Sequence, residues 1–125
     1  MRKIMAVIVA LFLITLPAVA NACEIIVSVD GSKKECYKPG DIVVVKIIVI
    51  LEHRNCEVDI NETDIRVSGS QIAGATKWVN TGGKTWERKI KVKITGDKTN
   101  RAVITAERTC NKDGGKGSLT LVTSN

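Results

Sequence analysis

Alternating apolar and polar positions after residue 23 predict a series of short β-strands separated by turns. The strongest pattern covers residues 42–52. One face of this segment is formed by apolar side chains, and the opposite face is also apolar except at Lys46. A strand that is apolar on both faces is usually central in its sheet. One face contains Val43, Val45, Ile47, Val49 and Leu51, and the other contains Ile42, Val44, Ile48 and Ile50 around Lys46.

Residues 86–95 form the second clear strand pattern. One face carries Trp86, Ile90, Val92 and Ile94, with Arg88 as a charged exception. The other face carries a basic stripe, which would discourage aggregation if the strand lay at a sheet edge. The members of this stripe are Lys89, Lys91 and Lys93, with Glu87 beside them.

A five-residue loop over residues 80–84 would place Trp78 opposite Trp86 as a cross-strand aromatic pair. The other predicted strands cover residues 24–29, 33–37, 72–79, 101–110 and 118–123, and residues 57–60 and 65–67 are two short strand pieces with a polar interruption between them. Turns are expected at residues 30–31, 38–41 and, as a glycine-rich hairpin, 111–117. Seven or eight short strands in about 100 residues predict an all-β fold, an antiparallel β-sandwich.

The turn Lys38-Pro39-Gly40-Asp41 leads into the apolar strand, residues 102–106 form an apolar penultimate strand, and a glycine-rich hairpin follows. In these features the chain resembles the immunoglobulin-like and fibronectin-III-like sandwiches of secreted bacterial proteins. The resemblance implies one Ig-like domain over residues 23–125, with ligand-binding loops at an end of the sandwich.

The N-terminus has the pattern of a cleavable signal peptide over residues 1–22. Arg2 and Lys3 precede an apolar run over residues 4–16, and cleavage is expected after Ala22. The run is too short for an ordinary bilayer-spanning helix, so no transmembrane segment is expected after processing. The mature protein would be periplasmic or extracellular. A lipid anchor on Cys23, giving an outer-surface lipoprotein, is the alternative.

Four cysteines in an exported domain predict disulfides, and three pairings are possible. The Ig-like resemblance implies the pairs Cys23–Cys36 and Cys56–Cys110, because each would join loops at one end of the sandwich. The H-x-x-C spacing of His53 and Cys56 indicates an alternative function of a different class. With Cys110, these side chains would suit a metal or thiol-redox site.

The chain has 19 basic and 13 acidic residues, for a formal charge of +6. The Ig-like arrangement would gather several cations near Cys56 and Cys110, forming a cationic loop pole for an anionic or protein partner. These residues are His53, Arg54, Arg108, Lys112 and Lys116. Nucleic acid is not expected as a partner, because the protein is expected to be exported and because it has few aromatic side chains on which bases could stack.

Two further motifs change the interpretation little. Asp59, Asn61 and Thr63 match the start of a calcium loop, but Asp64 and Ser70 occupy its glycine and glutamate positions. Asn61 also begins an N-glycosylation sequon, whose use depends on the source. No cofactor and no catalytic nucleophile–base pair is predicted. The sequence therefore indicates an exported, non-enzymatic binding or assembly module, with the metal or thiol-redox protein as the alternative.

Overall fold

The structure is a computed structural model that describes residues 23–51, 59–109 and 114–124. These ranges form an all-β fold, as predicted, and no helix in them is long and apolar enough to cross a membrane. The proposed signal peptide lies outside the described residues. The strands are β1 (Cys23–Val29), β2 (Ile42–Leu51), β3 (Asp64–Ser68), β4 (Ser70–Ala75), β5 (Val79–Gly82), β6 (Thr85–Ile94), β7 (Arg101–Thr109) and β8 (Gly114–Val122), with a 3-10 turn at Ile60–Glu62.

The strands form two antiparallel sheets. The larger sheet has the order β1-β2-β6-β4, and β5 also pairs with β6 on the side of β4. The smaller sheet has the order β3-β7-β8. The prediction that β2 is a central strand is confirmed, because it pairs with β1 on one side and with β6 on the other.

The core lies between the inner faces of the two sheets. Alternate side chains of β2 are buried there, as its apolar pattern predicts. The smaller sheet contributes the fully buried residues Ala102, Ile104 and Leu121. The larger sheet contributes β-branched side chains, namely Val43, Val45, Ile47, Val49, Ile90 and Val92.

The predicted turn at residues 38–41 is present. Gly40 has a φ of +95°, and the amide of Asp41 donates to the carbonyl oxygen of Lys38 at 3.0 Å. Proline sets φ at the second position of such a turn, and glycine supplies the positive φ at the third. Local sequence chemistry is therefore sufficient to define how the chain enters β2.

The predicted return strand at residues 33–37 is wrong. β1 pairs with β2 instead, with Ile25 opposite Val49, so the ladder joins two apolar strands. Tyr37 makes a parallel bridge to Thr123, and its amide donates to the carbonyl oxygen of Val122 at 2.8 Å. The segment before Tyr37 is charged, and its side chains are exposed rather than buried on a sheet face.

The glycine-rich segment predicted as a hairpin tip lies largely within β8. Its backbone approaches β1 closely along one side of the sandwich. An added Cβ at Gly117 would overlap the carbonyl oxygen of Ile25, and one at Gly115 would overlap that of Cys23. Glycine is therefore required here by contact between the two sheets, which a local turn pattern does not reveal.

The basic stripe on β6 does not protect a sheet edge, because β6 lies between β2 and the β4–β5 side. The stripe faces outward, and Lys89 pairs with Asp30, which follows β1 and also pairs with Lys46 of β2. Lys89 Nζ lies 3.1 Å from a carboxyl oxygen of Asp30, and Lys46 Nζ lies 3.7 Å from the other. Hydrogen bonding to Lys89, with the added positive charge of Lys46, lowers the pKa of the Asp30 carboxyl.

Gly117→Ala is expected to destabilise the protein by about 2 kcal/mol, because the added methyl group must separate β8 from β1. Gly74→Ala is the matched control, since a Cβ there meets nothing within 4 Å. Its stability should be unchanged or raised by up to about 1 kcal/mol. Urea unfolding monitored by circular dichroism measures both. Equal stability of the two variants would contradict the close β1–β8 contact.

Candidate functional site

An open groove of about 630 Å³ lies at the end of the sandwich where β2 ends and β6 begins. We call it the tryptophan groove. One side is formed by the start of β6 and the segment between β4 and β5, and the other by the 3-10 turn. Its lining residues are Asp59, Ile60, Asn61, Ala75, Thr76, Lys77, Trp78, Trp86 and Arg88.

The predicted pairing of Trp78 with Trp86 is wrong in register. Asn80 is opposite Trp86, and a bulge lies between Asn80 and Gly82, so the connection is tighter than the predicted five-residue loop. In the observed register of β5 against β6, Trp78 lies beside Arg88 instead. Both tryptophans are half-buried and pack against the core. The two indoles therefore share the groove without forming the predicted pair.

Arg88 is the charged exception on the inward face of β6, and the groove explains its position. Its Nε donates to the carbonyl oxygen of Thr76 at 2.8 Å. Its guanidinium carbon lies 5.8 Å from the ring centroid of Trp78, within cation–π range. No acceptor in the described part of the chain meets its two terminal nitrogens. The guanidinium is thus oriented at one edge and open at the other.

The opposite wall is a short 3-10 turn that Asp59 caps. The side chain of Asp59 accepts a hydrogen bond from the amide of Asn61 at 3.1 Å, and Ile60 points into the core. Asp59 and Asn61 remain exposed at the groove rim. The predicted calcium-type pattern therefore coincides with a capped turn, whose polar side chains line the groove.

Arg108 holds this wall in place. It was predicted at a binding surface, but its side chain is only 1% exposed. Its Nη1 lies 2.7 Å from Thr63 Oγ1 and 3.0 Å from the carbonyl oxygen of Asp59. Burying a charged group is costly unless it is hydrogen-bonded, and the turn provides acceptors. The structure therefore corrects the expected surface role of Arg108 to a positioning one.

The remaining predicted cations are only partly described. Lys116 is exposed on β8 at the same end of the sandwich as the groove. His53, Arg54 and Lys112 lie outside the described residues.

The implied disulfide Cys23–Cys36 is not formed. Cys23 is buried beside Gly115, whereas Cys36 is exposed next to Tyr37, which bridges Thr123 at the other end of β8. Residues 115 and 123 of one strand are separated by roughly 25 Å. A disulfide needs Cα atoms within about 7 Å. The two cysteines therefore lie at opposite ends of the sandwich.

The other implied disulfide, Cys56–Cys110, lies outside the described residues. The same holds for the alternative metal or redox site at His53, Cys56 and Cys110. Within the ranges that the structure describes, no group of three His, Cys, Asp or Glu side chains is placed to hold a metal ion.

Sequence analysis did not identify the tryptophan groove. A signal was present, because an arginine stood on the otherwise apolar inward face of a strand that also carried Trp86. A charged side chain on an apolar strand face is expected either in a buried ion pair or at a place where the two sheets separate. The sequence pattern does not distinguish these two cases.

Comparison with protein-family models, curated proteins and solved structures gives no significant match to this chain.

Arg108→Met is expected to lower the free energy of unfolding by about 3 kcal/mol, because acceptors around the 3-10 turn lose their charged donor. Lys116→Met is the matched control. It removes the same charge from an exposed position, so the free energy should change by no more than about 0.5 kcal/mol. Urea denaturation tests both variants. If both substitutions lowered the free energy of unfolding by a similarly small amount, the anchoring role of Arg108 would be contradicted.

Cys36 is expected to react with iodoacetamide in the folded protein without prior reduction, because its side chain is exposed and forms no disulfide in the described structure. Peptide mapping by mass spectrometry would locate the modification, and Cys36→Ser should remove it. Protection of Cys36 until a reductant is added would contradict this assignment and would support complete pairing of the four cysteines.

Proposed function

We propose that this protein is an exported, non-enzymatic binding module that holds an anionic partner at the groove end of the sandwich. The observation that carries the proposal is the guanidinium of Arg88, which lines the groove, lies over Trp78 and has no acceptor among the described residues for its terminal nitrogens. A charge-assisted hydrogen bond to an anion is stronger than a neutral one. Partial burial against an indole would increase this contribution.

The local charge supports an anionic partner. Lys77 and Arg88 contribute two positive charges to the groove lining, whereas Asp59 contributes one negative charge and uses an oxygen to cap the 3-10 turn. The formal charge of +6 on the chain would also favour the approach of an anion.

Two sequence features support export and an Ig-like relationship as parts of the same proposal. Residues 1–22 have the pattern of a signal peptide, and the strand and turn signals resemble secreted Ig-like sandwiches. The fold consists of two antiparallel sheets. Ligand-binding residues are frequently located on loops at one end of such scaffolds.

Three polyanions test the proposal on the exported protein: polygalacturonate, polyglutamate and vesicles of phosphatidylglycerol. At least one should bind in low salt, and Arg88→Gln should lower that affinity about tenfold through loss of a charge-assisted contact. Arg101→Gln is the matched control, because Arg101 is exposed at the opposite end of the sandwich. Its affinity should change less than twofold.

Absence of binding to all three polyanions would contradict the proposed function. Equal losses of affinity in Arg88→Gln and Arg101→Gln would also contradict it, because they would show that the polyanion is attracted non-specifically by the net charge of the protein. Thermal unfolding of each variant separates a loss of affinity from a loss of folding.

A further inference from the structure

We propose that the tryptophan groove binds an acidic saccharide, with the pyranose ring of a hexuronate against Trp86 and its carboxylate on Arg88. This inference rests on the proposed function and specifies the class of anion. Three features of the groove point to it: its indoles, the polar rim and a guanidinium whose terminal nitrogens meet no acceptor among the described residues.

The indoles provide a suitable surface for a sugar ring. Trp78 and Trp86 are both half-buried and both pack against the core, so they lose little conformational freedom when a ligand binds. The faces of an indole are electron-rich, and one face of a pyranose presents polarised C–H groups. A flat, partly apolar ring is therefore the ligand shape that this lining favours.

The rim adds hydrogen-bonding groups suited to hydroxyls. Asp59 and Asn61 are exposed beside the groove, and the carboxylate of Asp59 has an oxygen that does not cap the turn. A carboxylate accepts from hydroxyl groups, while an amide both donates and accepts. Small-molecule sites commonly combine apolar surfaces with a few converging polar groups in volumes of about 300–1,000 Å³.

Arg88 accounts for the acidic group on the sugar. Its Nε is held by Thr76, and its ring contact with Trp78 orients the guanidinium plane. The two terminal nitrogens can therefore approach the two oxygens of one carboxylate. Lys77 adds a second positive charge to the lining.

A saccharide explains more of these features than the other anions. A phospholipid bilayer presents a broad surface, whereas the groove is also lined by the 3-10 turn residues Asp59 and Asn61. An acidic peptide supplies carboxylates, but it does not require two indoles beside a hydroxyl-binding rim. The hexuronate uses the aromatic, polar and cationic parts of the groove together.

The test titrates the exported protein with trisaccharides of galacturonate and glucuronate and with their carboxyl-reduced neutral counterparts. Calorimetry and tryptophan fluorescence both report binding. At least one uronate should bind tenfold or more tightly than its neutral counterpart, and saturation should change the fluorescence. Arg88→Gln should remove most of this preference for the acid.

Trp86→Ala should weaken binding of the uronate and of its neutral counterpart by tenfold or more, because both use the ring face. Since Trp86 also packs against the core, Trp86→Phe is the second variant and should retain part of the affinity with normal thermal unfolding. Arg101→Gln serves again as the control and should bind as the unmodified protein does.

Each contrary result has a separate meaning. If polyglutamate binds and no uronate does, the saccharide assignment is wrong while the proposed binding function remains. If a neutral trisaccharide binds as tightly as its uronate, or if Trp86→Phe and Trp86→Ala both bind normally, the assignment is also wrong. If no polyanion binds, both proposals are contradicted.

Discussion

The groove depends on the buried guanidinium of Arg108. It lies near the end of β7 and donates to Thr63 and to the carbonyl oxygen of Asp59, which belongs to a distant part of the chain. A buried charge is stable only where acceptors surround it, so the position of the 3-10 turn is coupled to the position of β7. That turn forms one wall of the tryptophan groove. A residue buried in the core therefore controls the geometry of an exposed site.

Side-chain size differs between two parts of the inner surface. At β1 and β8, Gly115 and Gly117 allow the sheets to approach until their backbones are in contact. At the groove, the inner face of the interior strand β6 instead carries the large amphipathic side chains of Trp86 and Arg88. The groove is therefore lined by large side chains, whereas the β1–β8 contact depends on glycine.

Sequence patterns gave correct predictions where the residues of a single strand or turn were enough to decide its structure. The apolar pattern of β2 predicted its extent and central position, the alternation in β6 predicted its extent and its apolar face, and the turn before β2 followed from Pro39 and Gly40. Predictions failed where a partner from elsewhere in the chain decided the outcome. The glycines of β8 look like a loop unless β1 is known to lie against them. Arg108 looks like a surface cation unless the acceptors of the 3-10 turn are known to surround it.

The sequence by itself determined the fold class, because β-branched alternation and frequent turn signals leave few ways to bury the apolar surface other than paired sheets. It also determined the excess of positive charge and the candidate signal peptide pattern. Tertiary structure alone decided which side chains meet at the groove, since Asp59, Trp78 and Arg88 come from three separate segments. Their contacts depend on strand register, sheet separation and a buried hydrogen-bonded charge. None of these quantities is encoded by residue spacing within a single segment.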